Sequence, residues 1–181
     1  MNNVPDRDFD PDDNFAQSFH TPADDLDEDA ALEAVVWQFL LLINPGDEDA
    51  ALLQFNEARE GLGSGTAPVD ALRDAIDWKA GFWIAERDVG GLVEVLDELA
   101  ARIGVRIDWD TEDPSDAEFL AGTDATSLLQ RAFVQLREYH YTLWTYETGA
   151  DAFAGWIAHM RDDEAVPMVA GALGFHARPG V

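Results

Sequence analysis

TLWTYETGADAFAGWIAHM, residues 142–160, decides the fold. Two aromatic-rich runs flank Gly149, whose neighbours include Glu147 and Asp151. Gly149-Ala150 reads as a two-residue turn of the Gly-X type. It joins strands at 141–147 and 152–159 into a hairpin. That turn dictates a register: Tyr146 opposite Phe153, Trp144 opposite Gly155, Leu143 opposite Trp156. Trp144, Tyr146, Phe153 and Ile157 then share one face, and Leu143 and Trp156 the other. An aromatic ring over a strand glycine covers exposed backbone, so the register is locally consistent. Packing explains most of the stretch. The polar groups left over lie at its ends: Glu147 and Asp151 at the turn, His140 and His159 facing each other at the open end.

The segments before the hairpin read mainly as helices. A first helix starts after Asp24 or Asp25 and runs to Ile43, with Leu32, Val36, Phe39, Leu40 and Ile43 at helical spacing. Asn44-Pro-Gly46 stops it, and Asp47 caps a second helix with Leu52, Phe55, Arg59 and Leu62 along one side. Val69–Ile76 is a short third helix. Phe82–Ile84 has strand character. Asp88 caps the clearest helix, which carries Leu92, Val93, Leu96, Leu99 and Ile103 inward and ends at Gly104. Val105–Trp109 alternates as a further strand. Asp116 and Asp124 cap two more helices. A last helix spans Asp163 to Leu173, and GFHARPG (174–180) reads as a short tail.

The fold class expected is α+β: a small, mostly antiparallel sheet of about four strands, helices packed mainly on one face, and a C-terminal β-hairpin. Residues 1–24 hold many Asp and several Pro without helical periodicity, and read as an acidic disordered tail before a single domain at 25–181. Phe9, Phe15 and Phe19 interrupt that tail.

Charge and composition narrow the function. The 181 residues carry a net charge of −26, contain no Cys and have one lysine, Lys79. Thiolate metal sites and disulfides are therefore excluded, and cytoplasm is the expected compartment. Direct nucleic-acid binding is disfavoured, because it draws on Lys and Arg releasing counterions. Anionic membranes are disfavoured on the same ground. A basic protein partner is favoured by long-range steering. Solubility, salt adaptation and genomic base composition also produce acidic chains.

Two tempting motifs fail on inspection. GLGSGTAP (61–68) is preceded by no strand and followed by no Lys-Ser or Lys-Thr, so it is no phosphate loop. A calcium loop starting at Asp108 of DWDTEDPSD (108–116) needs Gly at 113 and Glu at 119, where the chain has Asp113 and Phe119. Its acids Asp108, Asp110, Glu112 and Asp113 join Glu147 and Asp151 as the expected partner-binding set. His140 and His159 are the candidate metal ligands. No cofactor is expected.

Four segments carry a resemblance: NPGDEDAALLQF (44–55), IDWKAGFWI (76–84), GVRIDW (104–109) and YTLWTYETGADAFAGWI (141–157). In this order they resemble a bacterial domain-of-unknown-function family, the one numbered 6630, over roughly residues 30 to 178. The resemblance implies one compact α+β domain and no catalytic residue to carry over. The function expected is a non-enzymatic, acidic protein-binding module, immunity-protein-like, that engages a basic partner. The alternatives are a DNA mimic with carboxylates at phosphate spacing, and a hydrolase or metal-dependent enzyme using Glu147, Asp151, His140 or His159.

Overall fold

The computed structural model describes residues 22–77 and 79–181, with side chains from residue 28 onward. Residues 1–21, which hold most of the expected tail and its three phenylalanines, lie outside the described residues. The described chain is α+β, with seven α-helices and one four-stranded antiparallel sheet.

The helices are α1 (Pro22–Ile43), α2 (Glu48–Gly63), α3 (Pro68–Ala75), α4 (Val89–Arg102), α5 (Ala117–Ala121), α6 (Ala125–Glu138) and α7 (Ala165–Ala172). Capping chemistry fixes where several of them start. Asp47, Asp88, Asp116 and Asp124 each accept a hydrogen bond from an N–H of the turn that follows, Asp47 at 3.0 Å from Ala50 N–H. On α2 the buried side is Ala51, Gln54 and Ala58, whereas Leu52 is 49% exposed. Small residues let α2 lie close to its neighbours, which displaces the expected Leu52 line.

The strands are β1 (Gly81–Ala85), β2 (Tyr141–Glu147), β3 (Ala152–His159) and β4 (Ala177–Pro179), in the order β1-β3-β2-β4. Two strand expectations change. Val105–Trp109 keeps its alternation, with Val105, Ile107 and Trp109 buried and Arg106 and Asp108 exposed, but pairs with no strand. The Gln135 side chain of α6 stands in for a neighbour: it accepts from Asp108 N–H and donates to Asp108 C=O, both at 2.8 Å. The fourth strand comes from the expected tail instead. Thr145 pairs with Arg178, the Thr145 hydroxyl donates to Gly180 C=O at 2.5 Å, and Gly180 N–H donates to Leu143 C=O.

The hairpin exists, but its register is one residue off the expected one. Trp144 pairs with Trp156, Thr145 with Gly155 and Glu147 with Phe153. The connection is four residues long, Thr148–Asp151, not two. The Thr148 hydroxyl accepts from Ala150 N–H and lies 3.1 and 3.0 Å from the carbonyls of Ala150 and Ala152, so a side chain organises the loop. A one-residue slip moves side chains between faces. Trp144 and Trp156 therefore share a face, and Leu143 and Ile157 share the other. The ring over Gly155 is Phe82 of β1, its paired residue, not Trp144.

Both faces of the sheet are covered. One core joins Trp144, Trp156 and Ala158 to residues of α1, α2, α3 and α7. The other joins Phe82, Leu143 and Ile157 to α4 and α6, with Phe119 and Leu120 of α5 at its margin. Four helices thus serve one face and three the other.

Candidate functional site

Acidic residues are spread over the surface, and one of several surface cavities is lined mainly by apolar side chains. A cavity of about 200 Å³ lies where α3 approaches β1. Leu72, Arg73 and Ile76 wall one side, and Gly81 to Ile84 of β1 another. Tyr146 and Trp156 form the floor, beside Phe39 and Phe175. Its lining draws on both faces of the sheet, since Phe82 and Val95 belong to the opposite core, so the cavity opens at the sheet's margin.

The local sequence explains this opening. Pro68 starts α3 where a missing N–H costs least, and α3 ends at Ala75. After five intervening residues the chain enters β1 at Gly81, whose Cβ would come within 2.9 Å of Ile76 Cγ2. Glycine there lets α3 fold back against the strand. The aromatic floor is self-supporting: Phe39 and Trp156 rings meet edge to face at 4.9 Å, and Tyr146 and Trp156 lie 5.5 Å apart.

Few polar groups enter the cavity. The Tyr146 hydroxyl sits above its ordinary pKa, chiefly because burial disfavours its anion. The Arg73 charge opposes that shift and the Asp70 charge adds to it. The Arg73 guanidinium lies 5.7 Å from the ring of Trp83 and is held by Asp70 at 2.9 Å and Asp74 at 3.3 Å. Among the described residues, the buried indole N–H groups of Trp144 and Trp156 make no hydrogen bond. Trp156 is surrounded by rings, Phe175 among them at 83° between planes.

The backbone of β1 supplies the remaining polar groups. Glu86 N–H donates to Asp151 C=O at 3.1 Å, which fixes the phase of the β1–β3 ladder. Alternate residues of an antiparallel pair exchange bonds. Phe82 and Ile84 therefore bond inward, and Gly81, Trp83 and Ala85 point their N–H and C=O away from the sheet. Gly81 N–H is taken by Asp77 C=O, and Ala85 C=O by Asp88 N–H. The Gly81 C=O, both Trp83 groups and the Ala85 N–H form no hydrogen bond with another described residue. Trp83 itself is 41% exposed.

The residues singled out from the sequence do not form one site. Asp108, Asp110, Glu112 and Asp113 are exposed on the loop before α5. Asp110 lies 3.9 Å from Arg131, and Asp113 accepts from Ser115 N–H and hydroxyl, which hold its pKa below the usual carboxylate value. Glu147 and Asp151 are exposed at the hairpin tip. No ion pair or hydrogen bond among the described residues joins the two groups. The histidines do not face each other: His159 pairs with Tyr141 and stacks on it at 4.8 Å. His140 occupies a left-handed turn, φ 64°, and its carbonyl accepts from Met160 N–H. Among the described residues no group of three His, Asp or Glu side chains is placed to hold a metal. The histidines lie at the far end of the hairpin from Glu147 and Asp151, about 20 Å away at ~3.3 Å per strand residue. The four therefore cannot converge on one reacting atom.

Sequence reasoning missed the cavity because its lining is scattered from residue 39 to 175. The available signal was IDWKAGFWI: an aromatic strand containing the partly exposed Trp83, with a short amphipathic helix in front of it.

No helix among the described residues is long and apolar enough to cross a membrane. A family model described as Domain of unknown function (DUF6630) matches residues 35–180. No curated protein and no solved structure matches the chain.

Proposed function

The chain belongs to the DUF6630 family, and with no activity to inherit from it we propose a protein-binding module that takes an extended segment of its partner onto the outer edge of β1. One observation carries this reading. Outward-facing backbone donors and acceptors of Trp83 lie at the mouth of an apolar cavity. Strand addition uses these two elements: main-chain hydrogen bonds for affinity and a side-chain pocket for selection. An unpaired strand edge is otherwise a liability that proteins cover or charge. The net charge of −26 adds long-range attraction for a basic partner. Neither the loop acids nor the hairpin acids are required as a specific patch. The reading keeps the bacterial cytoplasm as its setting and needs no catalytic group.

The test is a backbone NMR titration of the full-length ¹⁵N-labelled chain with the blocked peptide Arg-Thr-Thr-Val-Thr-Thr-Arg. The amide signals of Trp83 and Ala85 are expected to move most. A copy of the peptide N-methylated at alternate amides should leave them in place, because it cannot pair. Trp83→Pro removes an outward N–H without touching the β1–β3 ladder, since proline is tolerated at strand edges. It should abolish the shifts while β3 signals persist. Shifts centred away from β1, or equal shifts from the methylated peptide, would overturn the proposal.

A further inference from the structure

We infer that the cavity beside β1 is a specificity pocket for one phenylalanine side chain of an extended, basic partner segment. The inference rests on edge capture at β1 and adds which residue is read there.

Strand geometry places the side chain. Gly81 pairs with Trp156 and Trp83 with Ala154, so Trp83 shares a face with Trp156 and the cavity floor. A residue added directly opposite Trp83 sends its side chain to that same face. It enters between Leu72 and Ile76 on one side and Tyr146 and Trp156 below.

Size and polarity then select the residue. A dry apolar cavity of ~150 Å³ accepts benzene, so about 200 Å³ takes one phenyl ring with its methylene. The side chains of the walls are aliphatic or aromatic, and their polar groups are the Tyr146 hydroxyl, the buried and unpaired Trp156 indole N–H, and Arg73 at the rim. Arg73 is already engaged by Asp70 and Asp74 and stacked on Trp83, so it offers no free charge to an acidic side chain. A charged residue would lose its hydration inside without a partner. The rings of Tyr146, Trp156 and Phe175 are in mutual contact, which leaves one slot and no cage around a cation.

The flanks are set by charge. Two residues from the phenylalanine, ~6.6 Å along the strand, the segment reaches the ends of β1 at Gly81 and Ala85. Asp77 stands near one end, and Glu86 and Asp151 near the other, with Lys79 and Arg87 also present. The local balance is weakly negative and the whole chain strongly so, which favours arginine or lysine at both flanks.

The experiment measures the affinity of the full-length chain for four probes by fluorescence anisotropy and NMR. Three are labelled, blocked peptides: Arg-Thr-Phe-Thr-Arg, Arg-Thr-Ala-Thr-Arg and Glu-Thr-Phe-Thr-Glu. The fourth is N-acetylphenylalaninamide. The first peptide should bind about tenfold or more tightly than the alanine peptide, as burying a phenyl ring implies. Its lead over the glutamate peptide should shrink as salt rises. Val69→Trp, which fills the rim of the cavity, should bring the phenylalanine peptide down to the alanine level while Trp83 and Ala85 amides still shift. Equal affinity of the phenylalanine and alanine peptides, with those shifts intact, overturns the pocket and leaves edge capture standing. Loss of the shifts with every peptide overturns both. If N-acetylphenylalaninamide binds as tightly as the peptide, the cavity is a small-molecule site and the inference fails.

Discussion

Gly155 has the carbonyl of Trp144 on one side and the Phe82 ring on the other, and a Cβ built there would lie 2.1 Å from that oxygen and 3.0 Å from Phe82 Cζ. Backbone cannot yield that much, so Gly155→Ala is expected to cost about 3 kcal/mol. For a chain of this length that lowers the thermal midpoint by roughly 6–12 °C, readable by circular dichroism; an unchanged midpoint would refute the close packing. Asp97 offers a second test at this scale. Burial raises its pKa from 3.8, against the opposing hydrogen bond from Trp109 at 2.9 Å and the charge of Arg106. A carboxyl raised in the fold contributes stability that is full below its unfolded pKa and is lost as pH rises through the folded value. Asp97→Asn keeps an acceptor for Trp109 and removes the charge. It should be the more stable form at pH 7, by no more than about 0.5 kcal/mol given solvent screening of a half-buried group, with the gap closing near pH 3. Urea unfolding at the two pH values decides it. The caps at Asp47, Asp88, Asp116 and Asp124 were all legible as single residues, because N-capping depends on a few atoms close in sequence.

Elements were legible where local chemistry defines them and illegible where a distant partner does. Val105–Trp109 carries a strand's alternation, yet Gln135, distant in sequence, occupies its hydrogen-bonding edge. No pattern within 105–109 reports that. Gln135→Leu should free the Asp108 amide and speed its hydrogen exchange by roughly tenfold, with a small loss of about 0.5–1 kcal/mol because water replaces the bonds. Unchanged exchange at Asp108 would show that the side-chain amide does not hold the segment. β4 was missed for a related reason: three residues ending in Pro179 lack strand character, and only Trp144, Thr145 and Tyr146 make them a strand. The hairpin was recognised but shifted by one, because the Thr148 hydroxyl favours a four-residue loop over the glycine turn. The aromatic-over-glycine device held in kind, with Phe82 supplying the ring.

At the scale of the whole molecule, the sheet is shared by two cores, so neither set of helices has an independent foundation. The sequence revealed the class, one α+β unit, through its run of capped helices and its hairpin. It did not reveal the cavity, which exists only once α3, β1 and Phe175 meet. Charge is the other molecular property. A net −26 on 181 residues opposes compaction. Raising sodium chloride from ~10 to ~200 mM, where the screening length falls below ~10 Å, should therefore raise the thermal midpoint by a few degrees. A flat or falling midpoint would mean that self-repulsion is not a significant cost. The short β4 has a further consequence. It ends one side of the sheet with three residues and a proline, a poor template for another chain, while on the other side no described strand pairs with the outer edge of β1. Growth by strand addition is therefore one-sided: a foreign strand or a second copy meeting β1 edge to edge ends the assembly in one step. An endless fibre would need two competent margins, and the sheet of the described residues has only one.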